Sequence, residues 1–511
     1  MKKFYAKKII LFCILLTFVS VIFQGYDYGI SDHAEHFPAL EQYFDNNLFS
    51  NDLIFGSGSF DPLVHRLLFY LIIQGISDFS NISFEVLIFT AHILARFFFF
   101  YMISLITYHL SKNNKAAIFA IIISAFFFNM PTLGYFKPLG SYFTPNLIIM
   151  PVLLYSIYLF LKNDYVKSFL FLALIVYFHL PTGVLMFIIF SMVLFYYFVR
   201  KEMNLNQLCR PILVFLLLSS YMLFLTYLFM SGGSSDSGFV YEESLLRLPH
   251  HALPSTFSII HYIIFASYFC LCVFILFVFR RTIISSQSLL TFFISIALVL
   301  LISAFFIEIL RIPFVIKLLP FRSTMFVNLL FPVIFSAAFF EALKRKSTFL
   351  ILIFSAFIAF STFYIFYSGG FSIKSVNIYK SITLFDEVAL FAKDNTPVDS
   401  VFITPPIDDS FRYLSERAEV FNFRVTGYWS SDSIAREWIN RLHVFCNVTD
   451  DFSGFPSAWE HCSEKYDNFS TDDFINLSEE YDADYIVVKK PDYLNLTLVY
   501  ENEDYLMYSF G

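Results

Sequence analysis

Charge is what this sequence has least of. Asp, Glu, Lys and Arg make up 15% of its 511 residues, against about 25% in an ordinary soluble domain. A soluble surface of that composition would be greasy and would aggregate. Cysteine is sparse as well, with six in the chain, which excludes a disulfide scaffold. Sixteen glycines and 18 prolines are too few for a collagen-like or low-complexity chain. What is abundant is apolar: 58% of residues are hydrophobic and 71 are phenylalanine. This composition excludes disorder and implies an integral membrane protein.

The net charge of −7 hides a division. Residues 381–511 carry 25 acidic and 9 basic side chains, a balance of −16, whereas the remainder carries 16 and 25, a balance of +9. A basic, apolar body and an acidic tail domain imply two environments on one chain. The acidic domain would repel a phosphate backbone, so nucleic acid is not an expected partner.

Windows of about 20 apolar residues mark spans near 9–24, 84–110, 116–130, 145–161, 168–180, 182–199, 211–230, 256–279, 286–307, 323–343 and 347–367. The first reads as an uncleaved span with its Lys-rich flank in the cytoplasm. Lys112 and Lys115, Lys162 and Lys167, Arg200, Lys201 and Arg210, Arg280 and Arg281, and Lys344 to Lys346 fall in every second connection. These are the cytoplasmic turns under the positive-inside rule. The apolar run His65–Ile76 is only about a dozen residues long and is expected to lie at the membrane surface or re-enter it. Eleven spans place the acidic C-terminal domain outside the cytoplasm. The expected fold is therefore a mostly α polytopic membrane protein with about eleven transmembrane helices and a small C-terminal α/β extracytoplasmic domain. Its division is a transmembrane domain at 1–370, with a first outer loop at 25–66 carrying surface helices, and an outer domain at 381–511.

In that outer domain, helical periodicity is expected over 381–394 and 431–444, and strands over 400–404 and 485–488. A capping box is expected at Ser470–Asp473 and a hairpin over 496–510, turning at Asn502-Glu503-Asp504. Cys446 and Cys462 are the only cysteine pair there, and an oxidising compartment would join them. Asp482-Ala-Asp484 reads as a turn between helix and strand. The Asn-x-Ser/Thr triplets at Asn447, Asn468, Asn476 and Asn495 carry no conclusion about source.

Polar groups collect on the outer side. Asp32, Glu35 and His36 stand at i, i+3 and i+4 of a helix starting near Ser31, so they share a face. A carboxylate beside imidazoles at a membrane boundary can be tuned toward general-base duty; capping by Ser31 or Asp32 is the plainer alternative. Asp32, His33 and His36 could hold a divalent cation, though no tight ligand motif marks them, and no other cofactor is implied. The loop continues to Asn51-Asp52 and Asp61-Pro62. Arg96 sits inside a span, Lys137 in the turn Gly134–Gly140, and His179 in the turn His179–Gly183. Arg311, Lys317 and Arg322 lead into a late span. Cations at an outer lipid interface suit a phosphate or pyrophosphate headgroup; snorkelling to membrane lipid is the alternative for Lys137 and Lys317. Arg247, His250 and His251 lie in a Gly/Ser-rich loop that could cover an opening.

This layout resembles the GT-C superfamily of polytopic glycosyltransferases, closest in detail to poorly characterised bacterial members. The resemblance rests on Asp32-His33 and Asn51-Asp52 in the first loop, Pro320-Phe-Arg322-Ser323 before a late span, and the closing run Leu496-Thr-Leu-Val-Tyr-Glu-Asn-Glu. It implies a glycosyltransferase of the cell envelope, residing in a bacterial inner membrane with its C-terminal domain periplasmic. Its donor would be a polyprenyl-phosphate sugar and its acceptor a glycan, lipid or protein hydroxyl. Carried over, Asp32 is the general base, with Asp27, Glu35 and Asp52 as competitors. Arg322 and Arg96 would stabilise the departing lipid phosphate. Two other readings stand beside it: a glycan polymerase or ligase using a lipid-linked oligosaccharide, and a transporter or flippase of lipid-linked glycans.

Overall fold

The computed structural model describes residues 3–56, 67–127, 132–231, 237–367, 372–425, 432–446 and 457–511. The chain is mostly helical and is an integral membrane protein: among the described residues, seven helical stretches are long and apolar enough to cross a membrane. They are Lys7–Gln24, Phe84–Ser111, Leu180–Val199, Leu205–Leu228, Ile259–Val278, Ser286–Glu308 and the stretch Pro313–Lys344. The remaining four expected spans are also apolar helices, Asn114–Phe127, Pro145–Leu161, Tyr165–Val176 and Thr348–Tyr367. Leu68–Ser80, over the expected surface segment, has 13 residues and reaches only about 20 Å.

The chain forms two compact units, one of residues 1–26, 80–222 and 250–378 and the other of 27–79, 223–249 and 379–511. Residues 27–79 of the first loop thus share a unit with the C-terminal residues.

In the first unit, Phe84–Ser111 packs against Asn114–Phe127, Pro145–Leu161 and Lys3–Gln24. Its buried residues, Ile88, His92, Ala95, Arg96, Phe99, Phe100 and Ile103 among them, recur with the 3.6-residue period of one helix face. Leu94 and Phe98 on the same helix are exposed, as a lipid-facing surface requires. Thr324–Lys344 is buried along nearly its whole length, which suits its apolar sequence. The turn before Leu180–Val199 is closed by His179, whose carbonyl accepts from the Gly183 N–H at 3.3 Å. Gly183 is needed there, since a Cβ would come within 2.6 Å of Val176 Cγ2.

The second unit holds a five-stranded sheet ordered Ala418–Glu419, Val401–Ile403, Tyr485–Lys489, Tyr505–Ser509, Thr497–Glu501. The first three strands are parallel and the last two antiparallel. Asn502 fixes the hairpin turn, its side chain accepting from the Asp504 and Tyr505 N–H groups and donating to the Leu384 carbonyl. Helix Leu384–Asn395 begins with a Thr383/Asp386 capping box and Thr471–Tyr481 with a Ser470/Asp473 box. Phe385, Val388, Ala389 and Ala392 bury one face of the former against Phe402, Phe411, Val487 and Met507. Asp482 is the left-handed cap of Thr471–Tyr481, and Asp484 Oδ2 accepts from the Val401 N–H at 2.8 Å. Asp482-Ala-Asp484 is therefore a helix-to-strand turn. Helix Asp432–Cys446 covers the expected amphipathic stretch, and a disulfide joins Cys446 to Cys462 on helix Ser457–Asp467.

A buried ion cluster ties the first loop into this unit. Asp52 Oδ2 meets Arg412 Nε at 2.6 Å, and Arg412 Nη1 meets Glu419 Oε2 at 2.9 Å. Asp52 Oδ1 accepts from the Ile54 and Phe55 N–H groups, and Thr404 donates to Glu419 at 2.6 Å. Burial pushes the Glu419 carboxyl up to about 7 although Arg412 pulls it down.

Two stability predictions follow from this packing. Removing one partner of a buried pair strands the other charge, so Asp52→Ala should cost about 3–5 kcal/mol, and adding Arg412→Met should recover part of it; thermal unfolding of the purified variants measures both. Asp408 is raised to about 6 by burial and then by Asp409, with Lys489 opposing. An acid whose folded pKa lies above its unfolded one stabilises at low pH and loses that contribution as pH rises through about 6. Asp408→Asn should therefore match wild type near pH 4 and exceed it by about 1–2 kcal/mol near pH 8, a figure discounted for partial exposure.

Candidate active site

In the second unit, helix His33–Phe44 presents the first-loop residues. Ser31 stands in the left-handed region at φ 58°, so the Ile30 and Ser31 carbonyls turn onto the His33 and Ala34 N–H groups at 3.2 and 2.9 Å. Asp32 is the N-cap residue, yet its side chain makes no capping hydrogen bond. The backbone does the capping, and the Asp32 carboxylate is left partly exposed.

The histidines are used differently. His33 is fully buried, stacks on Phe37 at 4.4 Å and accepts at Nδ1 from the Gly29 N–H at 3.0 Å. Gly29 permits this with φ +72°, where a side chain would be strained. His36 is also buried, with Nδ1 3.2 Å from the Tyr70 hydroxyl. Glu35 lies in the first turn, partly exposed like Asp32. The expected i, i+3, i+4 face is thus split: the carboxylates reach the surface and His36 points inward. Among the described residues no three His, Cys, Asp or Glu side chains are grouped to hold a metal ion.

Two arginines frame the acids. Arg424 Nη1 donates to Ser31 Oγ at 2.8 Å, and its Nε pairs with Asp409 Oδ2 at 2.8 Å. Its carbonyl accepts from Arg247 Nη2 at 2.7 Å, and the Arg247 guanidinium lies 5.6 Å from the Phe423 ring centroid. Burial, followed by the neighbouring Arg424, lowers Arg247 to about 10, and Glu35, Asp32 and Glu243 oppose this. Arg247 is therefore still a cation at neutral pH, with Asp32 and Glu35 in its field. Asp52 is held in the Arg412 cluster, which accounts for its burial and both of its oxygens. Asp61 lies outside the described residues.

The first unit gathers a second group. Arg322, in the turn Pro320–Ser323, has Nη1 2.6 Å from His179 Nε2, and its guanidinium carbon stands 4.2 Å from the Phe136 centroid. Arginine has only donors, so His179 Nε2 accepts and the imidazole is neutral. His251 stacks on the same Phe136 ring at 4.7 Å and its Nδ1 meets the Gly134 carbonyl at 2.5 Å. Arg96 is fully buried; it donates to His92 at 2.7 Å, to Ser20 and Gln24 at 3.1 and 2.8 Å, and to the Gly140 carbonyl. It thereby anchors the turn that carries Phe136. Lys137 on that turn is exposed, as is Arg311, whose backbone is left-handed.

Sequence reasoning missed Arg412, Arg424 and Phe136. The signal available was an arginine embedded among aromatics, Phe411-Arg412-Tyr413 and Phe421-Asn-Phe-Arg424, where a charge must be paired.

Residues 385–445 match a family described as a domain of unknown function (DUF6798). No curated protein matches the sequence. Among solved structures, the chain is similar to the Archaeoglobus fulgidus oligosaccharyltransferase tethered by a disulfide to an acceptor peptide containing the NVT sequon. That similarity has 11% identity and a TM-score of 0.47, and covers 96% of this chain and 69% of that one.

Proposed function

We propose that the protein is a membrane glycosyltransferase that moves a sugar from a polyprenyl-phosphate donor to an acceptor hydroxyl at the outer face of the membrane. The observation that carries this reading is the Asp32 carboxylate, which the backbone relieves of capping and which stands partly exposed in the field of Arg247. A base must be ionised and within reach of the acceptor. Asp52 is already committed to Arg412.

In the proposed reaction Asp32 takes the acceptor hydroxyl proton as that oxygen attacks the anomeric carbon. The bond from that carbon to the phosphate oxygen breaks, and the lipid phosphate leaves with the electron pair. In the first unit Arg322, over Phe136 and beside His179, is a cation of the kind that suits a phosphate oxygen. Arg96 acts at one remove, by fixing the turn at Gly140. The N-terminus is cytoplasmic, the second unit is extracytoplasmic, and the acceptor is a glycan, lipid or protein.

The test uses purified protein in vesicles with a panel of radiolabelled polyprenyl-phosphate sugars. Asp32→Asn should lower turnover by about 10²–10⁴ with donor binding retained. Arg322→Gln should lower it by about 10²–10³. Wild-type turnover by Asp32→Asn, or no donor bound by the wild type, would sink the reading.

A further inference from the structure

We infer that the role of the 385–445 segment is to position the first loop, and that Arg424 is the positioning residue for Asp32. The inference rests on the proposed base role of Asp32. Every link in it is a hydrogen bond or ion pair within the second unit.

The segment reaches the loop at several points: Asn51 donates to the Asp399 carbonyl at 2.8 Å, the Tyr413 ring lies 5.1 Å from that of Phe37, and two arginines bind side chains of the loop. Arg412 takes the Asp52 carboxylate, and Arg424 takes the Ser31 hydroxyl. The first link is buried and holds the loop down. The second acts on a strained residue: a serine at φ 58° stands in the left-handed region that L side chains rarely adopt. That conformation is what aims the Ser31 carbonyl at the Ala34 N–H and makes a side-chain cap unnecessary. Without the anchor, Ser31 relaxes to negative φ, the first-turn N–H groups lose their carbonyls, and Ser31 or Asp32 becomes the ordinary side-chain cap. Either change draws the helix start into a different geometry and takes the Asp32 carboxylate from its present position. Arg424 is itself fixed by Asp409 on one side and, through its carbonyl, by Arg247 on the other.

A backbone role and a charge role for Arg424 are separable. If Arg424 works by holding Ser31 in the left-handed region, glycine at 31, which adopts that region without penalty, should substitute for the anchor. If it works by its charge or by touching substrate, glycine cannot help.

The experiment uses the full chain in vesicles and two readouts. Amide hydrogen exchange needs no donor: Arg424→Gln should raise exchange about tenfold over residues 29–37 and leave 49–56 unchanged. Ser31→Ala, which keeps the Arg424–Asp409 pair and so guards against a misfolded variant, should do the same, and the two effects should not add. With a donor that the wild type turns over, Arg424→Gln should lower kcat about tenfold with KM within about twofold, and Ser31→Gly in that background should restore most of the loss. Unchanged exchange over 29–37, additive effects, or no recovery with Ser31→Gly would overturn the inference. Should Asp32→Asn retain full turnover, the transferase reading falls, while the exchange result still decides whether Arg424 holds the loop.

Discussion

A guanidinium keeps its proton at neutral pH even when buried, so burying one obliges the fold to surround it with acceptors. The rest of this structure depends on that constraint. Arg412 binds residues 360 and 7 positions away in sequence, Asp52 and Glu419. Arg424 reaches Ser31, 393 positions away. In the other unit Arg96 draws together Ser20, Gln24, His92 and Gly140, all through neutral acceptors. Apolar burial alone would hold these segments in many near-equivalent packings. An arginine accepts few, because a displaced partner leaves a charge in low dielectric.

The same constraint sorts the acids of the first loop. Asp32 and Asp52 look alike in sequence, each in a polar stretch beside a residue that can cap or bind. Asp52 has its oxygens taken by three backbone N–H groups and a guanidinium. Asp32 has its capping work done by carbonyls that the left-handed Ser31 directs inward. One acid is structural because its neighbours spend it. The other is available because its neighbours make it redundant.

What could be read from the sequence was whatever is local. The apolar runs became helices, the Ser470–Asp473 box caps its helix, and the hairpin turns at Asn502, because periodicity, caps and turn chemistry act over a few residues. Long-range ties were not legible. Residues 27–79 follow the first apolar helix, and nothing local shows that their polar loop is completed by residues more than 300 positions later. The histidines misled for a similar reason. Helical spacing puts His36 on the Asp32 face, but helix His33–Phe44 buries His33, Ala34, His36, Phe37, Ala39 and Leu40, so nearly its whole circumference is enclosed and spacing no longer tells inside from outside.

The Arg322 group differs from the Arg412 cluster in the chemistry of the contacts it makes with Phe136 and His179. Stacking on Phe136 gives the guanidinium an attractive surface that uses none of its N–H donors. The neutral His179 ring occupies one donor with an acceptor weaker than an oxyanion. A phosphate oxygen in that place would exchange a neutral hydrogen bond for a charge-assisted one, roughly twice as strong. A carboxylate partner would have to be displaced at equal charge, as at Arg412, and the exchange would gain little. At Arg322 the histidine is thus a contact that a phosphate oxygen could improve on, whereas the acids at Arg412 are not.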